Sequence, residues 1–379
     1  MQTRPAATIE TAGIEYSKAG FLQNHGRWLA LIGVLMVIVI LAATIGAPVP
    51  FSDLWSSEPQ KMQIARRIFW REGGLSGGDW GLRPVRIFAG MLVGAALASS
   101  GACLQSVFRN PLAEPYLLGV SSGGALGATI GLWLQPRAAF DLSVPLAFVG
   151  ALTASALVYA LGTTTSGATA SGATSSTGFA SGNRLNVNRT GGGNRGVLLL
   201  SGVALSSFLS SLMALILALS DSANLAQKIV FWSLGTLTRA SSSQNVLLLI
   251  VLCIGMTILL RSSRDLNALR MGDEEAQTLG VDVRKLHFRL LFAAALMSAV
   301  AVAFCGLIGF VGLLAPQAVR KMFGGDIRVL VPAAAIGGAT LLVGCDAIAR
   351  SVAPPVELPV GVVTALLGVP LFLWLARRS

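Results

Sequence analysis

Long apolar stretches separated by short polar segments run along almost the whole of this 379-residue chain. A membrane-spanning helix needs about 20 apolar residues, and ten stretches reach or approach that length. The eighth stretch is short and contains Pro316, so we expect a helix that is broken or partly buried in protein. The pattern predicts an all-α, multi-pass membrane protein with spans near 28–47, 86–107, 116–135, 143–162, 196–218, 243–261, 288–305, 307–322, 329–350 and 360–376.

Composition supports a membrane protein and argues against several other classes. Charged residues make up 12% of the chain, about half of the 25% typical of soluble domains. The net charge of +11 does not indicate a nucleic-acid partner, because the basic residues are dispersed between apolar runs, where they act as topology signals. Two histidines and four scattered cysteines offer no ligand cluster, so we predict neither a metal site nor a bound cofactor.

The distribution of Lys and Arg predicts the orientation. If the N-terminus is cytoplasmic, 18 of the 28 Lys and Arg residues fall in cytoplasmic segments or at the adjoining span ends. This excess predicts that both termini are cytoplasmic. Residues 1–27 and 377–379 are then tails on either side of a membrane domain at 28–376. An external loop at 48–85 holds a helical pattern at 60–70, which suits a lipid anchor and a partner-docking helix equally well.

Residues 163–195 differ in amino-acid composition from the rest of the chain. Gly, Ser and Thr dominate this segment, three Arg occur in it, and it has no acidic residue. Such a composition cannot bury a core. We therefore expect a flexible cytoplasmic insertion without catalytic function.

The chain lacks the residues that would let it supply its own energy. It has no GxxxxGK[ST] phosphate loop and no Ser/His or paired-acid set that would make an intramembrane enzyme. Intramembrane carboxylates mark ion coupling, but Asp346 and Glu357 lie near the outer ends of spans. We expect a non-enzymatic transport protein driven by another subunit, with an ATP-independent secondary transporter as the alternative.

The cytoplasmic segment 262–287 is the best candidate for receiving that energy. Asp273 and the two glutamates after it suit a helix start, where acids stabilise the positive end of the dipole, and Gly280 suits the stop. This pattern predicts a rigid knob of two short helical pieces. A solvated amphipathic linker is the competing interpretation.

Four ordered blocks resemble one family. They open at Gly94-Ala-Ala-Leu-Ala-Ser-Ser-Gly and run on through Arg109-Asn-Pro-Leu-Ala-Glu-Pro115 and Leu118-Gly-Val-Ser-Ser-Gly-Gly124. The later blocks are the Gly272–Val281 segment, Gly306-Leu-Ile-Gly-Phe-Val-Gly-Leu-Leu-Ala-Pro316 and Glu357-Leu-Pro-Val-Gly-Val-Val. The chain is similar to FecCD-type permeases of bacterial ABC importers for iron-siderophores, haem and vitamin B12.

The resemblance implies a type II importer bundle in the bacterial inner membrane. It implies a second permease copy, most simply a homodimer, together with ATPase subunits that use the ATP and a periplasmic or lipid-anchored binding protein. The leading cargo is a ferric siderophore or related iron chelate. Cobalamin and haem are the alternatives.

The resemblance also implies roles for individual residues. Arg83, Arg86 and Arg350 would dock the binding protein, and Asn110 and Leu112 would belong to the cytoplasmic gate. The family's usual His after the Pro316 position is Gln317 here, which keeps hydrogen bonding but cannot become charged. The ATPase coupling set would be Leu266, Arg270, Gly272, Asp273, Glu274, Ala276, Leu279 and Gly280.

Overall fold

Thirteen α-helices and one 3₁₀ turn form the part of the chain that the computed structural model describes, residues 7–44, 58, 82–134, 141–171, 193–220, 223–352 and 357–377. The 3₁₀ turn is Pro115–Leu118. The helices are α1 Ala7–Thr44, α2 Leu82–Val107, α3 Val120–Leu134, α4 Ser143–Ser171, α5 Gly193–Ala218, α6 Ala223–Ser233, α7 Ser242–Arg261, α8 Ser263–Met271, α9 Asp273–Thr278, α10 Val283–Cys305, α11 Val311–Phe323, α12 Ile327–Ser351 and α13 Val360–Ala376.

The all-α membrane architecture predicted from hydropathy is confirmed. Within the described ranges, seven helices are long and apolar enough to cross a membrane: α1, α2, α4, α5, α7, α10 and α12. Two further predicted spans are the shorter apolar helices α3 and α13. The eighth predicted span is α11, which has 13 residues and contains Pro316, so its expected shortness is also seen.

Helix α2 is the centre of the bundle. In its span, 89% of the most apolar window is buried by the rest of the protein, against 6% for α5 and 11% for α1. The peripheral helices leave large apolar side chains exposed, Leu29 on α1 and Leu200 on α5 among them. Outward-facing apolar surface of this kind is typical of helices that face lipid or a partner subunit.

Glycines let the neighbours of α2 approach its backbone closely. A Cβ atom added at Gly94 would lie 2.3 Å from the carbonyl oxygen of Gly338 on α12. A Cβ at Gly101 would lie 1.8 Å from the carbonyl oxygen of Gly312 on α11. Because packing rather than water exclusion drives association in lipid, small residues at these crossings hold the three helices together.

Several boundaries differ from the prediction, and the reason is helix propagation. Helix α1 begins at Ala7, inside the predicted tail 1–27, and α4 continues to Ser171, into the predicted insertion. Once a span has nucleated, each further residue adds a hydrogen bond at low cost, and neither extension contains a proline. The helix predicted at 60–70 and residues 172–192 of the insertion lie outside the described residues.

Candidate functional site

Three arginines lie together at one end of the bundle, which we call the arginine end. Arg83 and Arg86 lie one turn apart at the start of α2, and Arg350 lies in the last turn of α12. Asp346 is four residues before Arg350, so both side chains leave the same face of α12. Packing of α12 against α2 then places all four side chains next to Glu357, and we call these five residues the arginine network.

Carboxylates of the same chain hold two of these arginines, Arg86 and Arg350. Arg86 donates from Nε and Nη2 to Asp346 Oδ1, at 3.0 and 2.8 Å, and from Nη1 to Glu357 Oε2 at 2.6 Å. Arg350 Nε lies 3.1 Å from Asp346 Oδ2. Planar guanidinium groups suit this two-sided contact with one carboxylate.

Two of the three arginines are buried. Arg83 and Arg350 are 7% and 6% exposed, and each donates to a carbonyl near the end of α1, Ala43 at 2.7 Å and Ala42 at 3.1 Å. Glu357 has 41% of its side chain exposed. The docking role of the arginines therefore stays a prediction, and it requires this network to open toward a partner.

The predicted coupling segment lies at the opposite end, which we call the coupling end. Helices α8 and α9 meet at Gly272, and Gly280 ends the segment with φ of +83°, a left-handed conformation that suits glycine. Leu266, Leu269 and Ala276 are fully buried. The predicted knob therefore has a packed apolar root.

The remaining coupling residues divide between inner and outer positions. Arg270 Nη1 donates to the carbonyl of Gly325, just before α12. Glu274 and Gly280 are exposed, and Leu279 is 67% exposed. Met271, which was not among the predicted coupling residues, is 73% exposed. Two apolar side chains thus protrude from the coupling end with acids between them.

Capping carboxylates fix the coupling end to the helices that follow it. Asp326 accepts from the Asn267 amide at 2.8 Å and from the backbone N–H of Arg328 at 3.0 Å. Both donors favour the charged carboxylate, so the pKa of Asp326 lies below its usual range. Asp282 caps α10 in the same way, and its bonds from Lys285 also lower its pKa.

The predicted gate residues form a tight turn after α2, and we call residues 109–113 the gate turn. Asn110 Oδ1 accepts from the backbone N–H of Leu112 at 2.9 Å, and Leu112 is 47% exposed. Gln317 on α11 donates to the carbonyl of Pro111 at 3.0 Å and to Gln105 Oε1 at 2.8 Å. The glutamine at this position therefore fastens the turn to α11 without charge.

Arg109 connects the gate turn to the coupling segment. Its Nη2 donates to Asp273 Oδ1 at 2.7 Å, and its Nε donates to the carbonyl of Leu269 at 3.1 Å. Arg109 has φ of +50°, unusual for a residue with a side chain. Sequence reasoning missed this role, although Arg109 stands directly before the predicted gate residue Asn110.

A second missed pair ties the chain beyond the gate turn to the start of α11. Glu114 Oε1 accepts from the backbone N–H of Phe310 at 2.8 Å. Tyr116 Oη donates to the carbonyl of Ile308 at 2.8 Å and accepts from its N–H at 2.7 Å. An acid between two prolines was the only sequence signal for this contact. It satisfies backbone groups that α11 leaves open at its first turn.

A cavity of about 490 Å³ opens near the arginine end. Its wall combines the aromatic side chains of Phe231, Trp232 and Phe304 with the hydroxyls of Thr236 and Thr238. Glu357 belongs both to this wall and to the arginine network. Arg239 also lines the cavity and is exposed, and it forms no ion pair within the described part of the chain.

Comparison with known proteins decides the family. The model of the FecCD transport family matches residues 29–174 and 173–378. The chain belongs to the FecCD transport family. This FecCD protein is an ABC importer permease, as are its relatives.

Two relatives and one solved structure illustrate the similarity. The hemin transport system permease protein HmuU of Yersinia pestis is 35% identical over 92% of this chain and 96% of its own length. The cobalamin import system permease protein BtuC of Halobacterium salinarum is 40% identical over 78% and 72%. A metal-chelate type ABC transporter, solved in an inward-facing conformation, superposes with a TM-score of 0.71 at 28% identity, covering 93% of this chain and 98% of its own.

Proposed function

We propose that this FecCD permease carries an iron chelate, a ferric siderophore or a related compound, across the bacterial inner membrane. Two copies would enclose the pathway, with both termini in the cytoplasm and the arginine end outside. Separate ATPase subunits would bind and hydrolyse the ATP at the coupling end. The contact of Arg109 with Asp273 is the observation that carries the ATP-driven mechanism in this proposal, because it joins the coupling segment to the gate turn.

The coupling segment is suited to transmit a movement of the ATPase to the gate turn. An ATPase groove would take the exposed Met271 and Leu279, since apolar side chains that protrude from a charged surface are typical contact anchors. Leu266 on α8 and Ala276 on α9 are fully buried. The two helices that form the knob would therefore move as one body. Movement of Asp273 would then pull Arg109 and the gate turn with it.

Binding-protein docking would proceed by exchange of carboxylates at the arginine network. A carboxylate of the binding protein would replace Glu357, the exposed member, on Arg86 Nη1. Complementary charges of this kind set orientation and encounter rate. Arg83 and Arg350 would become available only after the end of α1 has moved.

Substituting Glu357 tests this exchange. Glu357→Gln removes the competing carboxylate, so we expect the binding protein to associate with the reconstituted transporter about three- to tenfold more tightly, a gain of about 1 kcal/mol. Lys228→Gln is a control that changes one charge on α6, a helix close to the arginine end. Weaker association of the Glu357→Gln transporter would contradict the exchange.

The cavity near the arginine end supports an anionic, partly apolar cargo. Aromatic walls suit flat apolar surfaces, and a guanidinium that forms no ion pair suits a carboxylate of the cargo. The two acids of the same wall are already engaged, Glu357 with Arg86 and Asp141 with Ser143. Arg239 supplies that guanidinium, and Thr236 and Thr238 supply hydroxyls beside it. Haem and carboxylate-bearing ferric chelates share this chemistry. Cobalamin, the cargo named for one relative, is the second candidate.

Uptake into proteoliposomes separates the two cargo classes. We expect Arg239→Gln to reduce uptake of a ferric carboxylate chelate about tenfold. Arg261→Gln, an exposed arginine at the other end of α7, should leave uptake unchanged. Cobalamin uptake by the wild type with no uptake of any iron chelate would establish the second candidate instead.

A further inference from the structure

Arg320 carries the most evident unsatisfied charge in the described residues. It lies one turn before the end of α11, and its Nε and Nη2 atoms are buried without a hydrogen-bond partner among those residues. Arg320 as a whole is half-buried, and a buried donor without a partner is costly. Such donors are stable where an acceptor that lies outside the described residues completes the site.

A neighbouring positive charge makes the problem worse. Arg270 is the charged neighbour that acts on Arg320, and its guanidinium lies against Gly325, whose carbonyl it bonds. The acid beside this pair is Asp326, which already accepts from Asn267 and from the start of α12. Arg320 forms no ion pair with an acid of the described ranges. The described residues therefore supply no anion to this site.

The position of Arg320 indicates where that anion comes from. The ring of Phe323, one turn further along α11, lies 4.9 Å from the ring of Trp28 on α1. Trp28 stands at the start of the apolar span Gly26–Thr44, and tryptophan is typical of the membrane–water interface. Arg320 thus lies close to the plane in which lipid phosphates reside.

We propose that Arg320 and Arg270 bind the phosphate of an anionic lipid headgroup at the junction of α1, α8 and α11. The planar guanidinium fork matches phosphate oxygens in a two-bond contact. Basic pockets between membrane helices are a recurrent form of headgroup site. The bound phosphate would accept hydrogen bonds from the unsatisfied donors of Arg320 and screen its charge from that of Arg270. This contact would fasten the coupling end to the membrane surface.

The test uses the full chain without any partner, reconstituted in phosphatidylcholine nanodiscs with or without phosphatidylglycerol. Thermal unfolding and native mass spectrometry report stability and bound lipid. We expect phosphatidylglycerol to raise the unfolding midpoint of the wild type by about 3 °C or more. Arg320→Met should gain nothing from it and should be at least as stable as wild type in phosphatidylcholine alone, because the uncompensated charge is gone.

Two further variants keep the result specific. Arg264→Met removes an exposed charge at the start of α8, and it should gain as much as the wild type. Arg320→Lys keeps the charge without the planar fork, and it should keep only part of the gain. The proposal would be overturned if Arg264→Met lost the stabilisation by phosphatidylglycerol as fully as Arg320→Met. It would also be overturned if Arg320→Met kept all of that stabilisation.

Inorganic phosphate separates the two sources of the same anion. Added to phosphatidylcholine nanodiscs, it should not reproduce the gain from phosphatidylglycerol. If it does, the lipid source is wrong. If phosphatidylglycerol has no effect while the ATPase subunit stabilises the wild type but not Arg320→Met, a protein carboxylate is the ligand and the lipid proposal fails.

Discussion

Replacing Arg109 with Gln removes the side chain that joins the gate turn to the coupling segment. The bond from Arg109 Nε to the Leu269 carbonyl spans 3.1 Å, and the ion pair with Asp273 spans 2.7 Å. The two side chains are 33% and 21% exposed, so solvent screens the pair and about 0.5–1 kcal/mol is appropriate for it. The charged bond to the carbonyl adds about 1.5 kcal/mol, which gives about 2 kcal/mol, or about 30-fold in an equilibrium.

The assay is cargo uptake per ATP hydrolysed in proteoliposomes that contain the permease, its ATPase and its binding protein. Because the link transmits the ATPase movement, we expect Arg109→Gln to lower uptake by about 30-fold while ATP hydrolysis continues. Lys285→Gln is the matched control. It breaks an ion pair of 2.9 Å at the same end, but that pair joins only the first turn of α10 to its own N-terminal cap, Asp282.

A double-mutant cycle with Asp273→Asn tests the link itself. If the two residues act through their contact, Arg109→Gln/Asp273→Asn should lose little more uptake than Arg109→Gln alone. Fully additive losses would refute the reasoning, because the residues would then act independently. Unchanged uptake per ATP in Arg109→Gln would refute it as well.

Three further outcomes follow from packing, capping and exposure. Gly101→Ala should lower the free energy of unfolding by about 1–3 kcal/mol or prevent folding, because the added Cβ would meet the backbone of α11. Gly33→Ala, with open space around the added Cβ, should be neutral or slightly stabilising. Thermal unfolding measures both effects. Asp326→Ala should cost about 1 kcal/mol of stability at neutral pH. Since its folded pKa lies below the unfolded value of 3.8, that stabilisation should be present above pH 3.8 and disappear as the pH falls through the folded pKa, which unfolding midpoints across a pH series would check. Leu279→Ser and Met271→Ser should weaken ATPase binding by about tenfold each in pull-down titrations without altering the fold, since both side chains are exposed.

The spans and the coupling knob could be predicted because local sequence specifies them. Each span rests on its own apolar run, and the knob is marked by three consecutive acids and by Gly280 within eight residues. Gly280 has a left-handed φ of +83°, a backbone conformation that favours glycine. Features of this kind need no knowledge of which helices become neighbours.

The charged contacts could not be predicted in the same way. Arg86 and Asp346 are 260 residues apart, and Arg109 and Asp273 are 164 apart. Their pairing depends on how α2 packs against α12 and on where α8 turns back, which periodicity does not encode. The bond of Glu114 to Phe310 likewise requires the start of α11 to lie beside the chain that follows the gate turn. The short helix α6 was not predicted, because its 11 residues are too few for a membrane span.

Cargo uptake by this FecCD permease with its ATPase and binding protein in sealed proteoliposomes tests the central claim most directly. The internal and external buffers are matched, so that ATP can be supplied without an ion gradient. In a second set of proteoliposomes, an ion gradient is supplied without ATP. We predict accumulation only when ATP, the ATPase and the binding protein are all present. Accumulation driven by an ion gradient alone, with the ATPase absent, would contradict the account.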